Sequence, residues 1–153
     1  MALTVSTVPA CLAALVAAAT QAVPEVLVVD GQPAMHQDAD DIVCIGFTGS
    51  PEDAVVESTR TQQQAAVTPD RESYAVTCLA SCWRGAEVDA AAVREGAYAL
   101  VDAIGGRLAA DPTLGGVVGR SRVSAVSLAQ AQTEGGAVAV VRFVVSVDAF
   151  TGH

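Results

Sequence analysis

The sequence predicts an α+β domain: a mainly antiparallel β-sheet with two helices packed on one face and a protruding β-hairpin arm. Three observations carry this expectation. Two segments, near residues 8–23 and 90–108, repeat apolar side chains at helical spacing. The remaining segments are apolar runs of strand length, the last of them strictly two-faced. Turn signals join strands to strands rather than strands to helices, which favours antiparallel neighbours over a parallel sheet. With 153 residues, no internal repeat and no linker, residues 1–153 read as one domain around one core.

Each element follows in turn. Ser6 or Thr7 caps the first helix, and Pro9 falls in its first turn, where a missing N–H is harmless. Leu12, Leu15, Val16, Ala19 and Val23 form its apolar stripe, and Pro24 ends it. "EVLVVDG" is a short strand closed by Asp30-Gly31, a turn dipeptide. "QPAMHQDAD" is an acidic loop, "DIVCIGF" (Asp41 to Phe47) a buried strand and "TGSPED" a turn. Residues 54–67 are polar and alternate weakly, leading through a Gln-rich tip into "SYAVTCLASCW", a strand from Ser73 to Trp83. Tyr74, Val76, Cys78, Ala80 and Cys82 make one face of that strand; Ala75, Leu79 and Trp83 make the other. Residues 54–83 thus form a hairpin whose polar arm, at about 54–73, lacks a core face at its tip. Such an arm is mobile or pairs with a neighbour.

Asp89 caps the second helix, in which Val93, Ala97, Leu100, Val101, Ile104 and Leu108 recur at helical spacing. Gly105-Gly106 weakens its last turn, and "ADPTLGG" stops and reverses the chain. A strand from about Val117 to Gln132, a turn at Gly135-Gly136 and the strand "AVAVVRFVVSVDAF" complete the order. In the last strand every odd position from Ala137 to Ala149 is apolar, while Arg142, Ser146 and Asp148 interrupt the other face. One face is core; the other is partly covered or meets a neighbour.

Composition narrows the function classes. The formal charge is −9, lysine is absent, and only Arg120 and Arg122 cluster among eight arginines. That balance argues against a nucleic-acid binder, which needs a basic face to neutralise phosphates. It suits a soluble protein or a channel wall that must not grip DNA. "ACLAALVAAATQAV" has no basic residue before it, is preceded directly by Pro9 and is interrupted by Gln21, so it reads as neither a signal peptide nor a membrane span. A soluble, cytoplasmic chain is expected.

Candidate chemistry is thin. "GGVVG" (Gly115–Gly119) follows a helix and opens a strand, the reverse of a phosphate-binding loop, and there is no lysine for a Walker motif. His36 with Asp38, Asp40 and Asp41 matches no Ca²⁺ loop and reads as a solvated acidic turn. No Ser or Cys has a nucleophile's context, with His36 and His153 as the only histidines. Cys11, Cys44, Cys78 and Cys82 form no metal-binding spacing and read as buried free thiols. No catalytic, cofactor or metal site is expected. Arg120, Arg122 and Arg142 occupy the less apolar faces of the last two strands, either as solvated charge or as contacts to an adjacent copy.

The order of parts, with "VLVVDG", "CLASCWRG", "VREGAYALVDAIGGRLAADPTLGG" and "VSAVSLAQAQTEGGAVAVVRFVVSVDAFTG", resembles the tail-terminator family of long-tailed, siphovirus-type bacteriophages. The resemblance spans most of the chain, and "LAADPTLGG" with "GGAVAVVRF" is its most specific part. It implies a structural virion protein without enzymatic activity, cofactor or membrane. Six copies would form a ring that caps the tail tube, stops its polymerisation and joins it to the head. The implied partners are further copies of the chain, the major tail tube protein and the head-side neck or connector protein. Viral DNA would pass through the lumen without specific binding. The implied place is the head–tail junction of the virion, after assembly in the host cytoplasm. A ring needs two unlike complementary patches on each copy; the arm, with Arg60, Gln62 and Gln64, and the face bearing Arg120, Arg122 and Arg142 are the candidates. The alternatives are another neck, head-closure or tail-tube structural protein, or a small-ligand-binding α+β domain.

Overall fold

The computed structural model describes residues 5–33, 40–61, 70–85, 90–133 and 135–151. Its elements run α1 (Val8–Ala22), β1 (Leu27–Asp30), β2 (Asp41–Ile45), β3 (Val56–Thr61), β4 (Asp70–Arg84), α2 (Ala90–Ala110), β5 (Arg120–Thr133) and β6 (Gly136–Thr151). The fold is α+β with a six-stranded, mainly antiparallel sheet.

Sheet order is β1-β2-β4-β6-β5. β3 lies against β4 over residues 71–76, on the edge that β2 occupies over 78–82, so two short strands lie end to end along one long one. β6 pairs with the whole of β4, from Asp70↔Thr151 to Arg84↔Ala137. The stem of the expected arm is therefore a corner of the sheet: β6 is long enough to reach the residues that open the hairpin. Residues 62–69, its tip, lie outside the described residues. One pairing departs from the antiparallel expectation. β1 runs parallel to β2, Leu27 beside Ile42, and packs Val26 and Val28 against the core.

The core lies between the sheet and both helices. α1 contributes Cys11, Leu15 and Ala19, and α2 contributes Val93, Ala97, Leu100, Val101, Ile104 and Leu108, all buried. Beneath them lie the even residues of β4 from Tyr74 to Cys82 and the odd residues of β6 from Ala137 to Ala149. α2 continues through Gly105-Gly106 to Ala110, because its buried face carries on to Leu108. Asp89, its expected cap, lies outside the described residues.

The start of α1 is fastened by the sheet. Thr7 sits at the cap position but does not cap with its hydroxyl. Instead Glu72 of β4, 2% exposed, accepts bonds from Thr7 N (2.8 Å), Thr7 Oγ1 (2.7 Å), Ser6 Oγ (2.7 Å) and Ser58 Oγ (2.8 Å). A carboxylate at a helix N-terminus satisfies an orphan N–H and meets the positive end of the helix dipole.

"DPTLGG" proves to be a built turn. Asp111 accepts from Gly115 N (2.8 Å) and Thr113 Oγ1 (3.0 Å), and Val118 N reaches back to Thr113 O (3.1 Å). Leu114, Gly115 and Gly116 all have positive φ. This wrap delays β5 to Arg120, three residues past the expected Val117.

A β-bulge between Val123 and Ala125 switches the facing of β5. Before it, Ser121 and Val123 share the helix side with Val147 and Val145; after it, Val126, Leu128 and Gln130 do, opposite Phe143, Val141 and Ala139.

Candidate assembly surface

The arginines singled out from the sequence occupy three different environments. Arg142, on the sheet face away from the helices, donates Nε (2.9 Å) and Nη2 (2.6 Å) to Thr48 O. Thr48 is itself buried and bonded to Ser50 and Asp53, so Arg142 clamps the turn after β2 onto its own sheet. That turn covers Leu79 and Cys44, the apolar part of the second face. This guanidinium is committed to a contact within its own chain, although the residue remains exposed.

Arg60, on β3, pairs with Asp70 across the hairpin stem, with Nε 3.0 Å from Oδ2 and Nη2 on the same oxygen. Gln62 and Gln64 lie outside the described residues.

Arg120 and Arg122 stand together on β5, both exposed, in line with Asp148 and Ser146 of β6. Asp148 already binds Ser73 Oγ (2.7 Å) and Arg71 (3.1 Å). The Ser73 bond and then the Arg71 bond hold its carboxyl below the usual 3.8, with the nearby charge of Arg120 contributing. Arg122 has no ion pair or side-chain hydrogen bond among the described residues. The structure thus keeps Arg120 and Arg122 as one exposed basic pair, leaves Arg60 on the opposite sheet edge and ties the exposed Arg142 to Thr48 O.

The feature that the arginines flank is the edge itself. β5 ends the sheet, and no described strand lies beyond its 14 residues. From Ser124 to Gln130 every residue is exposed, and "SAVSLAQAQT" contains no charge, proline or glycine. Val126 (47% exposed) and Leu128 (38%) point to the helix side at this edge. Tyr98, also exposed, lies on the stretch of α2 beside them. Arg94, one turn earlier, bonds Gln130, and Gly105, two turns later, abuts Val123. Proteins normally blunt such edges with charge, bulges or cover. The uncharged run was legible in the sequence; its edge position was not, because strand order follows from pairing.

The remaining groups offer little chemistry. All four cysteines are buried and unpaired. Burial pushes the Cys44 and Cys82 thiols up to about 11 and Cys78 up to about 12, so they stay protonated near neutrality. Of the acidic loop, His36 and Asp38 lie outside the described residues. Asp41 is ion-paired with Arg84 at 2.8 Å; burial would raise its carboxyl, but the bonds from Arg84 and Cys82 and the Arg84 charge together outweigh this and lower it. No cluster of metal-ligating side chains occurs among the described residues. No helix among them is long and apolar enough to cross a membrane. The shallow cleft beside Gly105, Leu108, Ala109 and Val123 is about 420 Å³, and its polar lining is Arg120, Ser121 and Arg122 of the same edge strand. No protein-family model matches the chain, and no curated protein is detectably similar to it.

Proposed function

We propose that this chain is a structural protein of a phage tail, a terminator that forms a ring on the tail tube, stops its growth and meets the head-side neck. The observation that carries this reading is that the sheet ends on unlike edges, long β5 on one side and short β3 and β1 on the other, with no described strand beyond them. They sit on an acidic domain, with the exposed Arg120–Arg122 pair at one end of the β5 edge. Closed rings are built from just such heterologous contacts. The layout of elements matches the order of parts on which the resemblance rests, and a net charge of −9 suits a passage that DNA must traverse without sticking. The partners under this reading are further copies of the chain, the tail tube protein and a neck protein; the place is the virion's head–tail junction.

The test is a polymerisation assay with the major tail tube protein. Substoichiometric chain should shorten the tubes, and electron microscopy should show a ring at one tube end. Tubes of unchanged length with no end-bound density would overturn the proposal.

A further inference from the structure

We infer that copies of this chain join by extending the sheet, β5 of one copy pairing antiparallel with β3 of the next in a staggered register. The inference rests on the ring reading in one respect: a ring, unlike a two-fold dimer, obliges two unlike edges to meet.

Strand direction permits the join. β3, β4, β6 and β5 alternate in direction, so a following β3 continues the alternation beside β5 and keeps both helix layers on one side. The outer edges of β3 and β5 carry backbone donors and acceptors with no described strand to receive them. Pairing them satisfies both rows, the usual means by which exposed edges bind strands.

The register follows from β1. Through the pairings of the sheet, Glu57, Ala75, Ser146 and Arg122 lie in one row. An unstaggered join would set Glu57 opposite Arg122, an attractive charge pair. It would also drive β1 of the incoming copy into the place of Val126–Ala129, because β1 stands one strand further out than β3, in the rows of Cys78 to Ser81. A sheet closing on itself needs a stagger in any case. A shift of about eight residues carries β1 past the end of β5 and preserves the facing of every side chain. It brings Thr61 opposite Ser127, Arg60 opposite Leu128 and Thr59 opposite Ala129, with no like charges opposed.

Engineered cysteines test the register, since the four native thiols are buried. Thr59→Cys and Ala129→Cys in one chain should cross-link on mild oxidation, alone or on preformed tail tubes. The product should be a ladder ending in a closed oligomer, and neither single variant should give it. Circular dichroism confirms folding. The pair Glu57→Cys with Arg122→Cys should stay uncross-linked; the reverse pattern overturns the stagger. Dimers from single cysteines at Ser127, Ala129 or Ala131 would mean that β5 pairs with itself about a two-fold axis, which refutes the join. Rings that form without any Thr59–Ala129 cross-link overturn the join and leave the ring reading standing. A parent chain that stays monomeric and does not bind tube ends overturns both.

Discussion

Replacing Glu72 separates two contributions to the anchoring of α1. Its carboxylate is 2% exposed and takes four hydrogen bonds, of which the one from Thr7 N satisfies a backbone donor at the first turn of α1. Glu72→Ala leaves that N–H and the Thr7 hydroxyl without their acceptor in a buried site. Removing one partner of such a set costs about 3–5 kcal/mol. Glu72→Gln keeps the shape. Its amide oxygen can still accept from Thr7, and its NH₂ can donate to the hydroxyls of Ser6 and Ser58, each of which can turn to accept. Only the charge assistance and the dipole contact are lost, about 1–2 kcal/mol.

Urea unfolding at pH 7, followed by far-ultraviolet circular dichroism, measures both. The pH dependence is a second reading of the same contacts. Burial would raise the Glu72 carboxyl, but the bonds from Thr7, Ser6 and Ser58 outweigh it and hold the group below its ordinary 4.5. A carboxyl depressed by folding stabilises the native state above its unfolded value, and that stability is lost as pH falls through the folded value. The parent and Glu72→Gln should therefore differ most at pH 6–7, above the ordinary value of 4.5. They should converge on acidification from about pH 4 downward. If Glu72→Ala unfolds within about 0.5 kcal/mol of the parent, the carboxylate is not what fastens α1, and the reasoning fails.

Three further outcomes follow from the packing. At Gly96 an added Cβ would lie 2.9 Å from Cys82 Sγ, so Gly96→Ala should lose about 1–3 kcal/mol in thermal unfolding, largely restored by adding Cys82→Ala. Arg142→Met should unclamp the turn after β2, cost about 1–2 kcal/mol and raise amide exchange over residues 46–53 while α2 stays protected. The four thiols should resist a disulfide reagent at pH 8 in the native protein and react together on unfolding, so rapid reaction of any one would show an opening not present in the fold.

Much of this architecture is written in local pattern. The buried residues of α2 are the six that its spacing predicts, and the alternation of β6 is strict because its odd residues lie in the core beneath α2. Periodicity reports such one-sided burial directly. It does not report partners. Nothing in "VLVVD" says that β1 runs parallel to β2, and nothing in the polar β3 says that it shares an edge of β4 with β2. The arginines show the same limit. On the sequence, Arg120, Arg122 and Arg142 look alike, each on the less apolar side of a strand. Only the fold of the turn at Thr48 tells that one of them is consumed internally.

The bulge at Val123 is the most consequential of these hidden features. A strand of constant parity running from Ser121 would put Val123, Ala125 and Ser127 on the helix side and turn Val126 and Leu128 away. The inserted residue reverses that assignment halfway along, so the two large side chains face the helix layer at the outer flank of α2, where they stay exposed. A bulge in an edge strand normally twists the edge out of reach of other chains. Here it instead leaves the basic pair Arg120–Arg122 on one face and an apolar pair on the other, along one continuous edge. An edge that differs between its two halves can distinguish registers and directions of an incoming strand, which a uniform one cannot. That asymmetry arises from a single extra residue.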